Sequence, residues 1–170
     1  KSGIGPAKPW ILIGGPPCQA YSLVGRARNR GITDYRAEDD KRHYLYREYL
    51  RIIRKYQPAV FVMENVKGIL SARVDEKRIF HTILKDLVRP GSGKVRSHGY
   101  RIHSLVVPTV FQRKMKTDDI DVNDFIIRSE NYGIPQARHR VILLGVREDI
   151  DATPGQLEKV DGKTVNDAIS

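Results

Sequence analysis

The chain has 170 residues, 40% of them hydrophobic, enough for one compact domain with its own core and unlike a disordered chain. No apolar run approaches the roughly 20 residues that span a bilayer, residues 1–10 show no leader-like apolar segment, and a single cysteine excludes an internal disulfide or a cysteine-based zinc cluster; a cytoplasmic setting is expected. Thirty Lys and Arg against twenty Asp and Glu give a net charge of +10 and a pI near 9.8, which suits a nucleic-acid partner but also fits a solvated basic surface.

Ile11, Leu12 and Ile13 form a short apolar run that Gly14-Gly15-Pro16-Pro17 stops, the pattern of a buried strand. Residues 20–37 are polar, with Gly25, Gly31 and several arginines, and read as a functional loop because of their length. Asp39 and Asp40 open a helix at its positive dipole end, and Leu45, Tyr49, Ile52, Ile53 and Tyr56 recur at helical spacing until Pro58. Residues 59–63 (AVFVM) are a second strand, followed at once by Glu64-Asn65. Ile79, Ile83, Leu84 and Leu87 mark a second helix ending before Pro90-Gly91. After a basic, glycine-rich loop, residues 100–107 alternate as a strand, 108–124 have no clear period, and 125–128 and 141–146 are further strands. From Asp149 the chain is polar and loop-like, closing on a short helix.

Strands alternating with helices point to an α/β sheet with parallel elements. Ligands in such sheets bind beyond the carboxyl ends of the strands. Cys18 and Glu64 both follow such ends, so two chemically distinctive groups share one rim.

Gly14-Gly15-Pro16-Pro17-Cys18-Gln19-Ala20-Tyr21-Ser22 is the most informative segment. Its rigid turn presents the next side chain at a strand end. A thiol with an ordinary pKa of about 8.5 is only slightly ionised at neutral pH, so a reactive cysteine needs nearby dipoles, cations or a base. A lone cysteine is more commonly a small buried hydrophobe.

This segment resembles the signature of cytosine-5 DNA methyltransferases. Glu64-Asn65-Val66 at a strand end, Gln136-Ala137-Arg138-His139-Arg140 and Arg42-His43-Tyr44-Leu45-Tyr46 resemble further family motifs, all in the family's order. The likeness covers about residues 10–148, and residues 164–169 (TVNDAI) resemble the family's link toward a target-recognition region. The resemblance implies a Rossmann-like S-adenosylmethionine-dependent methyltransferase fold with a largely parallel twisted sheet. Residues 1–148 would be a catalytic core segment and 149–170 the link.

By the same resemblance, Cys18 is the nucleophile that adds to carbon 6 of a flipped-out cytosine, which makes carbon 5 enamine-like. Glu64 would protonate ring nitrogen 3 and read the exocyclic amine. Arg140 would hold the base carbonyl at position 2, with Arg138 supporting Glu64. A planar guanidinium suits both roles better than lysine. Gln136 would organise its loop, and Pro17 and Leu45 would line the pocket of the donor, S-adenosylmethionine. Gln19, Ser22, Arg26, Arg28 and Arg30 would meet the DNA, the arginines through phosphates. No metal is implied, and the protein would act as a monomer on duplex DNA, in a restriction–modification or orphan system.

The chain lacks the family's Phe-x-Gly-x-Gly donor loop and its late Asn-bearing motif. It therefore reads as an excerpt that is inactive in isolation. A tRNA cytosine methyltransferase, a silent DNA-binding fragment and a redox thiol protein remain alternatives. Ser22, where tRNA-acting members carry threonine, favours DNA, and the last alternative predicts neither Glu64-Asn65-Val66 nor Arg138 and Arg140.

Overall fold

The computed structural model describes residues 9–17, 45–74, 77–91 and 98–169; Cys18, Gln19, Ser22, Arg26, Arg28, Arg30 and the expected helix start at Asp39-Asp40 lie outside them. Strand β1 (Ile11–Gly14) ends where Gly15 and two prolines stop the ladder. Helix α1 (Tyr46–Tyr56) buries Tyr46, Tyr49, Leu50 and Ile53, the i, i+3, i+4, i+7 stripe that its spacing demands. It closes at Gln57, whose left-handed backbone (φ 44°) lets its N–H reach Ile53 O, and Pro58 cannot continue it.

β2 (Val60–Val66) alternates strictly, with Phe61, Met63 and Asn65 inward. A 3₁₀ turn and a small hairpin, β3 (Arg73–Val74) with β4 (Lys77–Arg78), lead into helix α2 (Ile79–Val88). Six of the ten residues of α2 are buried, and a fully buried aliphatic side chain contributes about 1.5–3 kcal/mol. There follow β5 (Tyr100–His103), β6 (Val110–Phe111), two 3₁₀ turns, β7 (Ile126–Arg128), another such turn, β8 (His139–Arg147) and a short helix, α3 (Val165–Ile169).

The main sheet runs β1-β2-β8-β5-β6, with β7 also pairing to β8. Both long helices contribute to one core with Phe61, Met63, Tyr100, Ile102, Val141 and Leu143 of the sheet. Gly145 is required there: a Cβ would lie 2.1 Å from the Phe61 ring. Beyond β8, Arg147 grips Asp149 through two nitrogens, at 2.7 and 3.1 Å, and donates to Gln57 O at 2.6 Å. Residues 150–160 stay on the body, through Arg101 to Ile150 O and the backbone bonds Leu157 N to Leu105 O and Val160 N to Asn131 O.

The α/β fold class stands, but four expectations change. Among the described strands only β1–β2 pair in parallel, and the other strand pairings are antiparallel; six residues join β5 to β6 and ten join β7 to β8, too few for a crossover. β1 is not buried on both faces: Ile11 and Ile13 are 60% and 75% exposed, because only its other face meets the core. Glu64 lies inside the last turn of β2's ladder rather than past its end, and the strand expected over 100–107 stops at His103.

Candidate active site

The parallel register pairs Gly14 with Met63, so the turn after β1 runs beside the end of β2. Gly15 sits so close to Glu64 that a Cβ there would lie 2.9 Å from Oε2. Asn65, only 5% exposed, ties the two strand ends together: its Nδ2 donates to Pro16 O (3.4 Å) and its Oδ1 accepts from Val66 N (2.9 Å). Buried amides are rarely left unpaired, and this one fixes the Gly15–Pro17 turn that immediately precedes Cys18. The motif flagged Asn65 without a role; its bridging function needed the strand register.

Across the sheet, β2 and β8 are antiparallel with Val66 opposite Arg140 and Glu64 opposite Ile142. Glu64 and Arg140 are thus diagonal neighbours on one face. Arg140 Nε lies 2.8 Å from Glu64 Oε1. Its N–H is not directed along that line, so the contact is an ion pair. Arg140 also donates from NH1 to His139 O at 2.8 Å. The carboxylate and guanidinium are partly exposed, at 42% and 25%, and so are open to a ligand.

Arg138, expected to support Glu64, is exposed, and Arg140 makes that contact instead. What holds Arg138 is its backbone. Ser129 Oγ accepts from Arg138 N at 3.0 Å and shares its own proton between the carbonyls of Gln136 and Arg138. Gln136 accordingly organises the loop through its main chain. Gly133 takes the left-handed conformation (φ 75°) that disfavours side chains, which accounts for glycine before Ile134-Pro135. His139 Nε2 lies 2.6 Å from Glu130 Oε1 and braces the loop from the other side. Glu130's carboxyl is held below its ordinary range, by backbone hydrogen bonding first and then by His139.

Two cavities flank the Glu64–Arg140 pair. One, of about 350 Å³, brings together Pro17 and Leu45, both expected at the donor site, with Leu12, Glu48, Tyr49 and Ile52. The other, of about 750 Å³, lies beyond the end of β2 and is lined by Val66, Lys67, Arg73, Arg78, His139 and Arg140 among others. Among the described residues no group of three or more His, Cys, Asp or Glu could hold a metal, and no helix is long and apolar enough to cross a membrane.

A profile of the C-5 cytosine-specific DNA methylase family matches residues 5–169. Type II methyltransferase M.Bpa9945I of Bacillus paralicheniformis is 36% identical over 141 residues, covering 83% of this chain and 26% of that protein. Type II methyltransferase M.XorII of Xanthomonas oryzae pv. oryzae is 32% identical over 169 residues, covering 99% and 31%. The chain thus spans about a third or less of the length of these curated relatives. A crystal structure of a candidate DNA modification methyltransferase encoded within an E. coli prophage superposes with a TM-score of 0.56 at 24% identity, covering 94% of this chain and 34% of that one. That likeness concerns the fold.

Proposed function

The chain belongs to the C-5 cytosine-specific DNA methylase family, and from that premise we propose that the protein carrying it methylates carbon 5 of cytosine in duplex DNA with S-adenosylmethionine as donor. It does so as a cytoplasmic, monomeric enzyme of a restriction–modification or orphan system. The observation that carries the reading is the Glu64–Arg140 pair set against the Gly15–Pro17 turn that delivers Cys18.

In this reading the Cys18 sulfur forms a bond to carbon 6, and the ring electrons move to carbon 5 while Glu64 supplies a proton to nitrogen 3. Arg140, its guanidinium partly exposed, donates to the carbonyl oxygen at position 2. Once carbon 5 carries the methyl group, nitrogen 3 returns its proton to Glu64, and loss of the proton at carbon 5 restores the ring double bond as the sulfur leaves. Splitting one difficult substitution into an addition and an elimination is the advantage of the thiolate. Arg138, exposed two residues before Arg140, would contribute to the pocket wall once DNA is bound. Gln19, Ser22, Arg26, Arg28 and Arg30 meet the DNA around the extruded base, an arrangement forced by the burial of carbon 6 in a duplex.

The donor supplies an electrophilic methyl on a sulfonium. The apolar cavity at Pro17 and Leu45, walled by Tyr49 and Ile52, fits as one side of its pocket and opens beside the turn before Cys18. The test is methyl transfer by the full-length protein from labelled S-adenosylmethionine to unmethylated DNA, with nucleoside analysis of the product. Label in 5-methylcytosine supports the reading; label on an exocyclic amine, or in tRNA but not DNA, overturns it.

A further inference from the structure

The β3–β4 hairpin places Arg73 directly opposite Arg78 in an antiparallel pair. Like charges directly opposite each other are unfavourable in a sheet, and neither guanidinium has an ion-pair or hydrogen-bond partner among the described residues. Both line the 750 Å³ cavity that ends at Arg140. That cavity receives four formal cations, Lys67, Arg73, Arg78 and Arg140, and no carboxylate among the described residues that line it. Among the described residues, only Arg140 of the four has an ion-pair partner, Glu64.

The basic lining does not stop at the hairpin. Arg78 is shared with a second cavity, of about 380 Å³, where Lys77, His81 and Lys85 face a single carboxylate, Asp118. Asp118 lies 3.7 Å from His81 and is 86% exposed. A band of basic side chains therefore runs from Arg140 through the two strands of the hairpin, whose connecting residues are Asp75 and Glu76, to Lys85 in the last turn of α2.

We infer that this band is a phosphate track: the backbone of the DNA strand flanking the extruded nucleotide lies in the groove, with one phosphate held between Arg73 and Arg78. This rests on the DNA-methylating reading above and adds to it a binding site on the side of the pocket formed by the described residues. A phosphodiester explains the arrangement because it relieves the opposed guanidiniums. Each presents a planar fork of donors that fits phosphate oxygens. The contact is to the backbone, so it positions the duplex without reading sequence.

The experiment compares the full-length protein with its Arg73→Gln/Arg78→Gln double variant. Binding of a fluorescein-labelled duplex of mixed sequence is measured over a range of KCl concentrations. Each neutralised phosphate contributes about −0.9 to the slope of log affinity against log salt, so losing the one held between the two arginines should make the variant's slope shallower by about 0.9. KM for DNA should rise about tenfold or more with kcat at saturating DNA nearly unchanged, as expected for lost uniform binding. Arg73→Lys/Arg78→Lys, which keeps charge but loses the fork, should restore the slope and part of the affinity. It also serves as the folded comparison should the glutamine variant unfold.

Arg54→Gln/Lys55→Gln, on the exposed side of α1, should leave both readouts unmoved. An unchanged slope and KM in the hairpin variant overturns the track, as does an equal loss in the α1 variant. The two readings fail separately. A parent protein that transfers no methyl group but loses salt slope with the hairpin arginines overturns the function and supports the track; one that methylates DNA regardless of them does the opposite.

Discussion

Replacing Gly15 with alanine adds a single methyl group next to the Glu64 carboxylate. The new Cβ would lie 2.9 Å from Oε2, against 3.4 Å or more for ordinary contact, so the oxygen must yield by about half an ångström. A free glutamate would swing away at little cost, but this one is held on its far side by Arg140 at 2.8 Å. The clash is therefore resolved by shifting the carboxylate together with the guanidinium, and both address the base in the proposed chemistry. Misplacement of about 1 Å can cost around 10²-fold in rate, so a shift of half that size should lower kcat about 10-fold. Affinity for DNA should stay within about twofold, because no phosphate contact is touched. Labelled methyl transfer at saturating DNA gives kcat, and a fluorescence titration of labelled duplex gives affinity. Wild-type kcat in Gly15→Ala, alongside a collapse in Glu64→Gln, would refute the claim that the turn and the glutamate are packed into one working unit.

Glu64→Gln itself should keep DNA binding and lose about 10²- to 10⁴-fold in kcat, the usual worth of a general acid–base group, because an amide can approach the ring but cannot deliver a proton; the same transfer assay reads it. Gly145→Ala acts on the fold instead: its Cβ would overlap the wholly buried Phe61 ring at 2.1 Å. It should destabilise the protein by about 1–3 kcal/mol, the usual cost of overpacking a core, seen as a lowered Tm in thermal denaturation of the full-length protein.

The elements that the sequence made legible are those in which periodicity and burial coincide. The α1 stripe and the run from Ile79 to Leu87 are amphipathic over two or more turns, and both are helices; Ile79, Ile83, Leu84 and Leu87 are buried, whereas of the expected α1 stripe Tyr49 and Ile53 are buried and Leu45, Ile52 and Tyr56 are half-buried, the face being rotated toward Tyr46 and Leu50. Residues 108–124 offered no such signal, for they form a two-residue strand and 3₁₀ turns held by local side-chain bonds. Apolarity alone misled at β1, where Ile11 and Ile13 are as hydrophobic as any core residue yet stand exposed on an edge strand.

At the site, Glu64 and Arg140 could be picked out as residue types in motifs. Their pairing could not, because it depends on the β2–β8 register, which joins segments more than 70 residues apart. For the same reason Arg138 rather than Arg140 was expected beside Glu64. Arg140 lies within β8 and within reach of the carboxylate, whereas Arg138 precedes the strand and is exposed. Asn65 and Ser129 were likewise invisible as braces, since Asn65 acts on the backbone 49 residues away and Ser129 on a loop whose path shows only in the fold. Neither the opposed arginines of the hairpin nor their shared cavity could be read without the fold, since the hairpin is too short to leave a pattern.

The central claim is that Cys18 attacks the target base. It is tested most directly by incubating the full-length protein and S-adenosylmethionine with duplex DNA in which 5-fluorocytosine replaces cytosine. Fluorine at carbon 5 cannot be removed as a proton, so the adduct formed by sulfur addition at carbon 6 should persist. A protein–DNA species that survives denaturing electrophoresis, and disappears in Cys18→Ser, is the predicted result. Equal crosslinking by both proteins, or methyl transfer by Cys18→Ser at the wild-type rate, would contradict the account.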